Sequence, residues 1–205
     1  QAVTSAFSVN EITGHPDENL LYVGGTFNYD DAASSTVGNR VAVFNLQDTA
    51  WVNDSLNGGI TGSAARVNAF GFYQGDVYVG GYFGGAGKSL ANNLAKWNGS
   101  EWDALGKGIL SNNSTIYDAV EWDGKLIVGG VFESFDGGKA NSLAMFDTST
   151  GAWTELGGGL KNGNATATIY SLHIDGNLLH VGGTFTQVGT SSAASFASYD
   201  LIDEV

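Results

Sequence analysis

Val128-Gly129-Gly130-Val131-Phe132 decides the fold, because the chain carries the string Val-Gly-Gly-x-Phe four times. The other copies are Val23-Gly24-Gly25-Thr26-Phe27, Val79-Gly80-Gly81-Tyr82-Phe83 and Val181-Gly182-Gly183-Thr184-Phe185. A second marker follows each one. Asn39-Arg40-Val41-Ala42-Val43-Phe44-Asn45 matches Asn92-Asn93-Leu94-Ala95-Lys96-Trp97-Asn98 and Asn141-Ser142-Leu143-Ala144-Met145-Phe146-Asp147, with Ala194-Ser195-Phe196-Ala197-Ser198-Tyr199-Asp200 as a more divergent fourth. Trp51, Trp102 and Trp153 form a third marker. Three markers recurring in one order define an internal repeat of about 50 residues. They divide the 205 residues into units of approximately 1–61, 62–110, 111–161 and 162–205.

Each unit reads as four short strands. In the second copy these are residues 67–73, 76–83, 94–97 and 102–105, with turns at Gln74-Gly75 and Asn98-Gly99-Ser100. Hairpins are expected around Asp123-Gly124 and Asp175-Gly176, because Asp-Gly accepts the left-handed backbone that a two-residue turn requires. In the first copy, residues 6–12 read as the leading strand. Glycine-rich exits follow at Gly58-Gly59, at Gly106 with Gly108, and at Gly157-Gly158-Gly159. No stretch holds a helical period.

The expected fold class is therefore all-β: a β-propeller of four four-stranded blades, the last lacking its outer strand. Strands sandwiched between neighbouring sheets bury both faces, which suits their apolar runs. Ala42, Ala95, Ala144 and Ala197 share one repeat position, where a small side chain lets the next blade approach. The glycine doublet marks a bulge or a close backbone crossing that a Cβ would block. The periodic tryptophans are expected to fill the wedge between blades.

Composition sets the outer limits. Glycine numbers 31 against one proline, and hydrophobic residues make up 42% of the chain, enough for a buried core. Cysteine is absent, which removes disulfides, thiolate metal sites and thiol nucleophiles together. Twenty-one acids against eight bases give a net charge of −13, so nucleic acid is a poor partner. No apolar stretch is long enough to insert this segment into a membrane.

The run Leu126-Ile127-Val128-Gly129-Gly130, then Phe146-Asp147, then Trp153 with Leu156, resembles the kelch repeat. The phenylalanine two residues after the doublet, with the Asn-x-hydrophobic-Ala-x-aromatic string, is similar to a secreted variant of that repeat. Such repeats occur in fungal cortical markers of cell polarity and in bacterial surface proteins. The resemblance implies a β-propeller and says little about function, since propellers host unrelated tasks. It also implies six or seven blades, whereas four are present here. The fourth copy ends at Asp203-Glu204-Val205, where its outer strand and tryptophan are due. Three readings follow: a piece of a longer repeat protein, a sheet completed by a second chain, with assembly expected at the unpaired edge, or a self-contained four-blade ring.

Several motifs invite chemistry and are outweighed. Gly84-Gly85-Ala86-Gly87-Lys88-Ser89 looks like a phosphate loop, but the required glycine position holds Tyr82 and no helix follows. His15, His173 and His180 lack metal-ligand spacing, and His180 takes a repeat position held elsewhere by Tyr22, Tyr78 and Ile127. Asp30 and Asp31 lie in a loop lengthened in one repeat only, so calcium is the one cofactor with a candidate site. No catalytic group is identified, and no other cofactor is expected.

The expected function is non-enzymatic: an extracellular or cell-surface interaction module within a larger assembly. Its binding loops would follow the glycine doublets, at residues 28–38, 84–91, 133–140 and 186–193, with Tyr29, Asp30, Asp31, Tyr82, Lys88, Phe135 and Asp136 as contact candidates. Asn53, Asn98, Asn112, Asn113 and Asn164 begin Asn-x-Ser/Thr sequons in expected turns, which suits a glycoprotein. The expected partner is a protein or a second copy, with a basic or calcium-bridged surface suited to the acidic chain. A glycan-binding lectin is the alternative, and a glycan-active enzyme the third reading.

Overall fold

A computed structural model describes residues 8–30, 37–52, 56–109, 113–136 and 138–203, and every regular element in them is a β-strand. The chain forms two compact units, Gln1–Leu105 and Gly106–Val205. The first unit holds two antiparallel meanders. One runs Val9–Gly14, Leu20–Asp30, Val37–Asn45 and Ala50–Trp51; the other runs Arg66–Tyr73, Asp76–Tyr82, Leu94–Trp97 and Trp102–Ala104. The second unit repeats the plan with Thr115–Trp122, Lys125–Val131, Leu143–Asp147 and Trp153–Glu155. Its other sheet has three strands, Thr168–Asp175, Leu178–Thr184 and Phe196–Asp200, and no fourth among the described residues. Sheets of this meander, packed face on face, are the blades of a β-propeller.

Two local expectations need correction. The leading strand of the first sheet is Val9–Gly14, not residues 6–12; residues 1–7 lie outside the described part. Its register is fixed by the turn at His15, whose N–H donates to the Leu20 carbonyl and whose Nδ1 accepts the Asp17 N–H. The fourth hairpin turns at Gly176-Asn177, with Asp175 still paired to Leu178. Gln74-Gly75 and Asp123-Gly124 are left-handed at both positions, whereas here only Gly176 is, with φ of 59°. A glycine at the first turn position selects a different two-residue turn.

The glycine doublet has two separate jobs. A Cβ on the second glycine, Gly25, Gly81, Gly130 or Gly183, would stand 2.1–2.2 Å from the carbonyl oxygen of Ser8, Arg66, Thr115 or Thr168 in its own sheet. Each of those carbonyls precedes a bulge in the leading strand. The first glycine instead receives the next sheet. A Cβ on Gly24 would meet Val67 Cγ1 at 2.5 Å, and one on Gly129 would meet Ile169 Cγ2 at 2.7 Å. Val67 and Phe70 thus pack into the first unit's core with Tyr22, Val41 and Val79, and Ile169 and Leu172 into the second unit's with Ile127 and Leu143. Ser142 Oγ donates to the Ala167 carbonyl at 2.7 Å across the same junction.

The segments after the doublets are short hairpins. Gly85–Ala86 pairs with Ser89–Leu90, Ser134–Phe135 with Gly138–Lys139, and Gln187–Val188 with Ser191–Ser192. Each hairpin also pairs with the glycine-rich exit of the preceding repeat, through Ile60 to Ala86, Ile109 to Phe135 and Leu160 to Val188. Left-handed Gly59, Gly108 and Gly159 make that approach possible, and their carbonyls accept from Gly87, Asp136 and Gly189.

Candidate interaction surfaces

The repeat supplies its own reference for what each position normally buries. Phe196 lies opposite Gly182, as Val41, Leu94 and Leu143 lie opposite Gly24, Gly80 and Gly129. Those three are at most 2% exposed, whereas Phe196 is 61% exposed. His180 is partly exposed where Tyr22, Tyr78 and Ile127 are buried. Burial pushes the phenols of Tyr22 and Tyr78 up to about 12. Beside Gly182 the nearest atom to an added Cβ is the Ser171 carbonyl oxygen at 3.9 Å, so among the described residues no neighbouring side chain fills that place. His173, His180 and Phe196 form a row of near-parallel rings on this face, with centroids 6.3 and 5.9 Å apart. Leu178 is exposed on the same face.

The first sheet exposes apolar side chains of its leading strand. Val9 takes the pairing position of Val67, Ile116 and Ile169, and Ile12 that of Phe70, Ala119 and Leu172. The later six are 0–6% exposed; Val9 and Ile12 are 48% and 57% exposed. These are the residues that, in the second and fourth sheets, pack over the preceding first glycine.

Of the sequence-derived contact residues, the structure describes the side chains of Tyr82, Lys88, Phe135 and Asp136. Phe135, expected to be exposed, is buried, because its ring stacks on Trp153 with centroids 5.4 Å apart. Tyr82 is partly buried under the Arg66 guanidinium, 4.8 Å from its ring. Asp136 is exposed, and its carboxylate accepts the Lys107 backbone N–H. Lys88 is exposed on its hairpin. Tyr29 and Asp30 lie in Leu20–Asp30, but their side chains, and Asp31 altogether, fall outside the described residues, so the calcium candidate lies there too. Among the described residues no three His, Asp or Glu side chains group as metal ligands.

Asn53 and Asn112 also fall outside the described part. Asn164 sits exposed at the tip between Leu160–Asn162 and Ala165–Thr166. Asn113 is exposed, but Ser114 and Thr115 of its sequon are buried. Asn98 is exposed, with Oδ1 accepting from the N–H groups of Ser100 and Glu101. Asn45, Asp147 and Asp200 close the same turn in the other repeats. The acid of the aromatic-acid pair is thus a turn-former. Hydrogen bonds from the Ser149 hydroxyl first, then the Thr150 N–H, hold the Asp147 carboxyl down at about 2.

No protein-family model matches the chain, and no curated protein matches it. Solved structures do. The computationally designed Ika4 protein aligns over 98% of this chain and 94% of its own, at 13% identity and a TM-score of 0.55. The designed Ika8 protein aligns over 95% of this chain and 59% of its own, at 12% identity and 0.50. The extracellular domain of BT4673 from B. thetaiotaomicron aligns over 96% of this chain and 27% of its own, at 12% identity and 0.52. At such identities the likeness concerns fold alone.

Proposed function

We propose that this chain is a non-enzymatic interaction module of an extracellular or cell-surface protein, in the style of kelch-like surface propellers, and that its open sheet faces are its docking surfaces. Phe196 carries the reading: it is 61% exposed at a position that is at most 2% exposed in three other repeats. Burying such a side chain contributes about 2–3 kcal/mol, so an apolar partner surface is strongly favoured there. The fitting partner presents branched apolar side chains from a β-sheet, as Val9 and Ile12 do, and a second copy of the chain qualifies. The net charge of −13 favours a basic or calcium-bridged surface around that contact. The absence of cysteine and the exposed sequons at Asn98 and Asn164 suit an extracellular setting.

Sedimentation of the chain and of the variants Phe196→Glu and Ile12→Asp tests this. The expected result is concentration-dependent association that both variants abolish without lowering thermal stability. A chain that stays monomeric and binds no added protein through these faces would overturn it.

A lectin is the second reading, favoured by the exposed row of His173, His180 and Phe196 rings, which could stack on a sugar. A glycan array on which Phe196→Ala loses every signal supports it, and an array without signal removes it.

A further inference from the structure

A groove of about 570 Å³ runs beside Phe196–Asp200, lined by Gly157, Val188, Gly189, Ser191, Ala193 and Tyr199 among others. In the second sheet the same place is filled by the fourth strand, Trp102–Ala104. There, Trp102 packs so closely on Gly87 that an added Cβ would stand 2.8 Å from its Cδ1. Its ring lies 5.4 Å from that of Trp97, its carbonyl accepts the Ser89 hydroxyl at 3.1 Å, and its Nε1 donates to the Leu56 carbonyl at 2.7 Å.

Every one of those contacts has a counterpart beside the fourth sheet. Gly189 stands for Gly87, both with φ of 53°; Ser191 stands for Ser89, and Tyr199 for Trp97. Leu156 stands for Leu56, its carbonyl closing the same turn to Gly159 at 2.9 Å that Leu56 closes to Gly59. Exposure records what is absent among the described residues. Ala91 and Ala140 are 1% and 0% exposed while Ala193 is partly exposed, and Ala95 and Ala144 are 0% exposed while Ala197 is partly exposed. The N–H of Leu201 reaches back to Asn177, so strand alternation turns the backbone N–H and C=O of Ser198 towards the groove.

We propose that this groove binds an extended, tryptophan-bearing polypeptide segment of the pattern Trp-x-x-Leu-Gly, which adds to the sheet antiparallel to Phe196–Asp200 and seats its indole against Gly189 and Tyr199. The chain's own strands state the recognition chemistry. Trp102-Asp103-Ala104-Leu105-Gly106 and Trp153-Thr154-Glu155-Leu156-Gly157 share the pattern Trp-x-x-Leu-Gly. Main-chain hydrogen bonds supply affinity in such strand addition, and the pocketed side chain supplies selectivity. Ala197 and Tyr199 face the opposite way from Phe196 and His180, so the groove works independently of the open face.

The test is titration of a fluorescently labelled Gly-Ala-Trp-Thr-Glu-Leu-Gly peptide, copied from residues 151–157, against the monomeric chain. Saturable binding is expected, weakened more than about tenfold when the peptide's tryptophan is alanine. It should be lost in Val188→Trp, which fills the groove, and in Ala193→Leu, with circular dichroism confirming that each variant is folded. The peptide control holds even if neither variant folds. No saturable binding up to about 1 mM, equal binding of the alanine peptide, or binding that survives in a folded groove variant overturns the proposal. Each such failure leaves the docking of open faces, read by sedimentation, untouched.

Discussion

The indole nitrogen of Trp102 donates to the carbonyl of Leu56 at 2.7 Å, tying the fourth strand of the second sheet to the exit turn of the first repeat. Trp153 occupies the same repeat position, yet its Nε1 is buried with no acceptor among the described residues. The two tryptophans therefore respond differently to losing that nitrogen. Both Trp→Phe changes lose indole packing, but only Trp102→Phe also loses a hydrogen bond, so it should cost about 1 kcal/mol more than Trp153→Phe. Urea denaturation of both variants checks the contrast, and equal losses would contradict it.

Asp118 joins two sheets of the second unit through its carboxylate. Oδ2 accepts the Leu172 N–H at 2.7 Å, and Oδ1 accepts the Ala119 N–H at 2.8 Å. Leu172 follows the bulge between Ile169 and Ser171, where the ladder is interrupted. Asp118→Ala should cost about 1–3 kcal/mol by orphaning that amide. Asp118→Asn, which keeps an acceptor oxygen, should recover much of the loss. Equal destabilisation by both would instead assign the effect to charge.

Asp147 makes the acid limb of stability specific. Its carboxyl sits at about 2, below the ordinary 3.8, because the Ser149 hydroxyl and then the Thr150 N–H donate to its ionised form. The folded state therefore binds this proton less readily than the unfolded state. The resulting stabilisation is complete above the unfolded pKa and is lost as pH falls from there through about 2. Ser149→Ala should raise the midpoint towards 3.8 in a carbon-detected NMR titration. A midpoint that stays put would show that the hydroxyl does not set it.

The repeat is legible in the sequence because its markers are fixed by backbone geometry. Gly25, Gly81, Gly130 and Gly183 each face a carbonyl at a distance no Cβ tolerates, so all four positions read as glycine. The post-doublet hairpins were hidden because two-residue strands such as Gly85–Ala86 carry no periodicity, and glycine-rich segments read as loops. Phe135 looked like an exposed contact because its cover, Trp153, arrives from 18 residues downstream. The open faces lay beyond the sequence as well. Val9 and Val67 are the same residue type at the same repeat position, and only the neighbouring sheet decides that one is 48% exposed and the other 0%.

The first glycine of each doublet tests the sheet-to-sheet packing most directly. Gly24→Ala and Gly129→Ala would press a Cβ to 2.5 Å of Val67 and 2.7 Å of Ile169, and each should cost about 1–3 kcal/mol. Gly182→Ala meets nothing nearer than 3.9 Å and should leave the stability of the monomer unchanged within about 0.5 kcal/mol. Thermal or urea denaturation of the three variants at a concentration where the chain is monomeric is the decisive measurement. The predicted outcome is two destabilised proteins and one that matches the parent; three equal losses would contradict the vacancy at the fourth sheet.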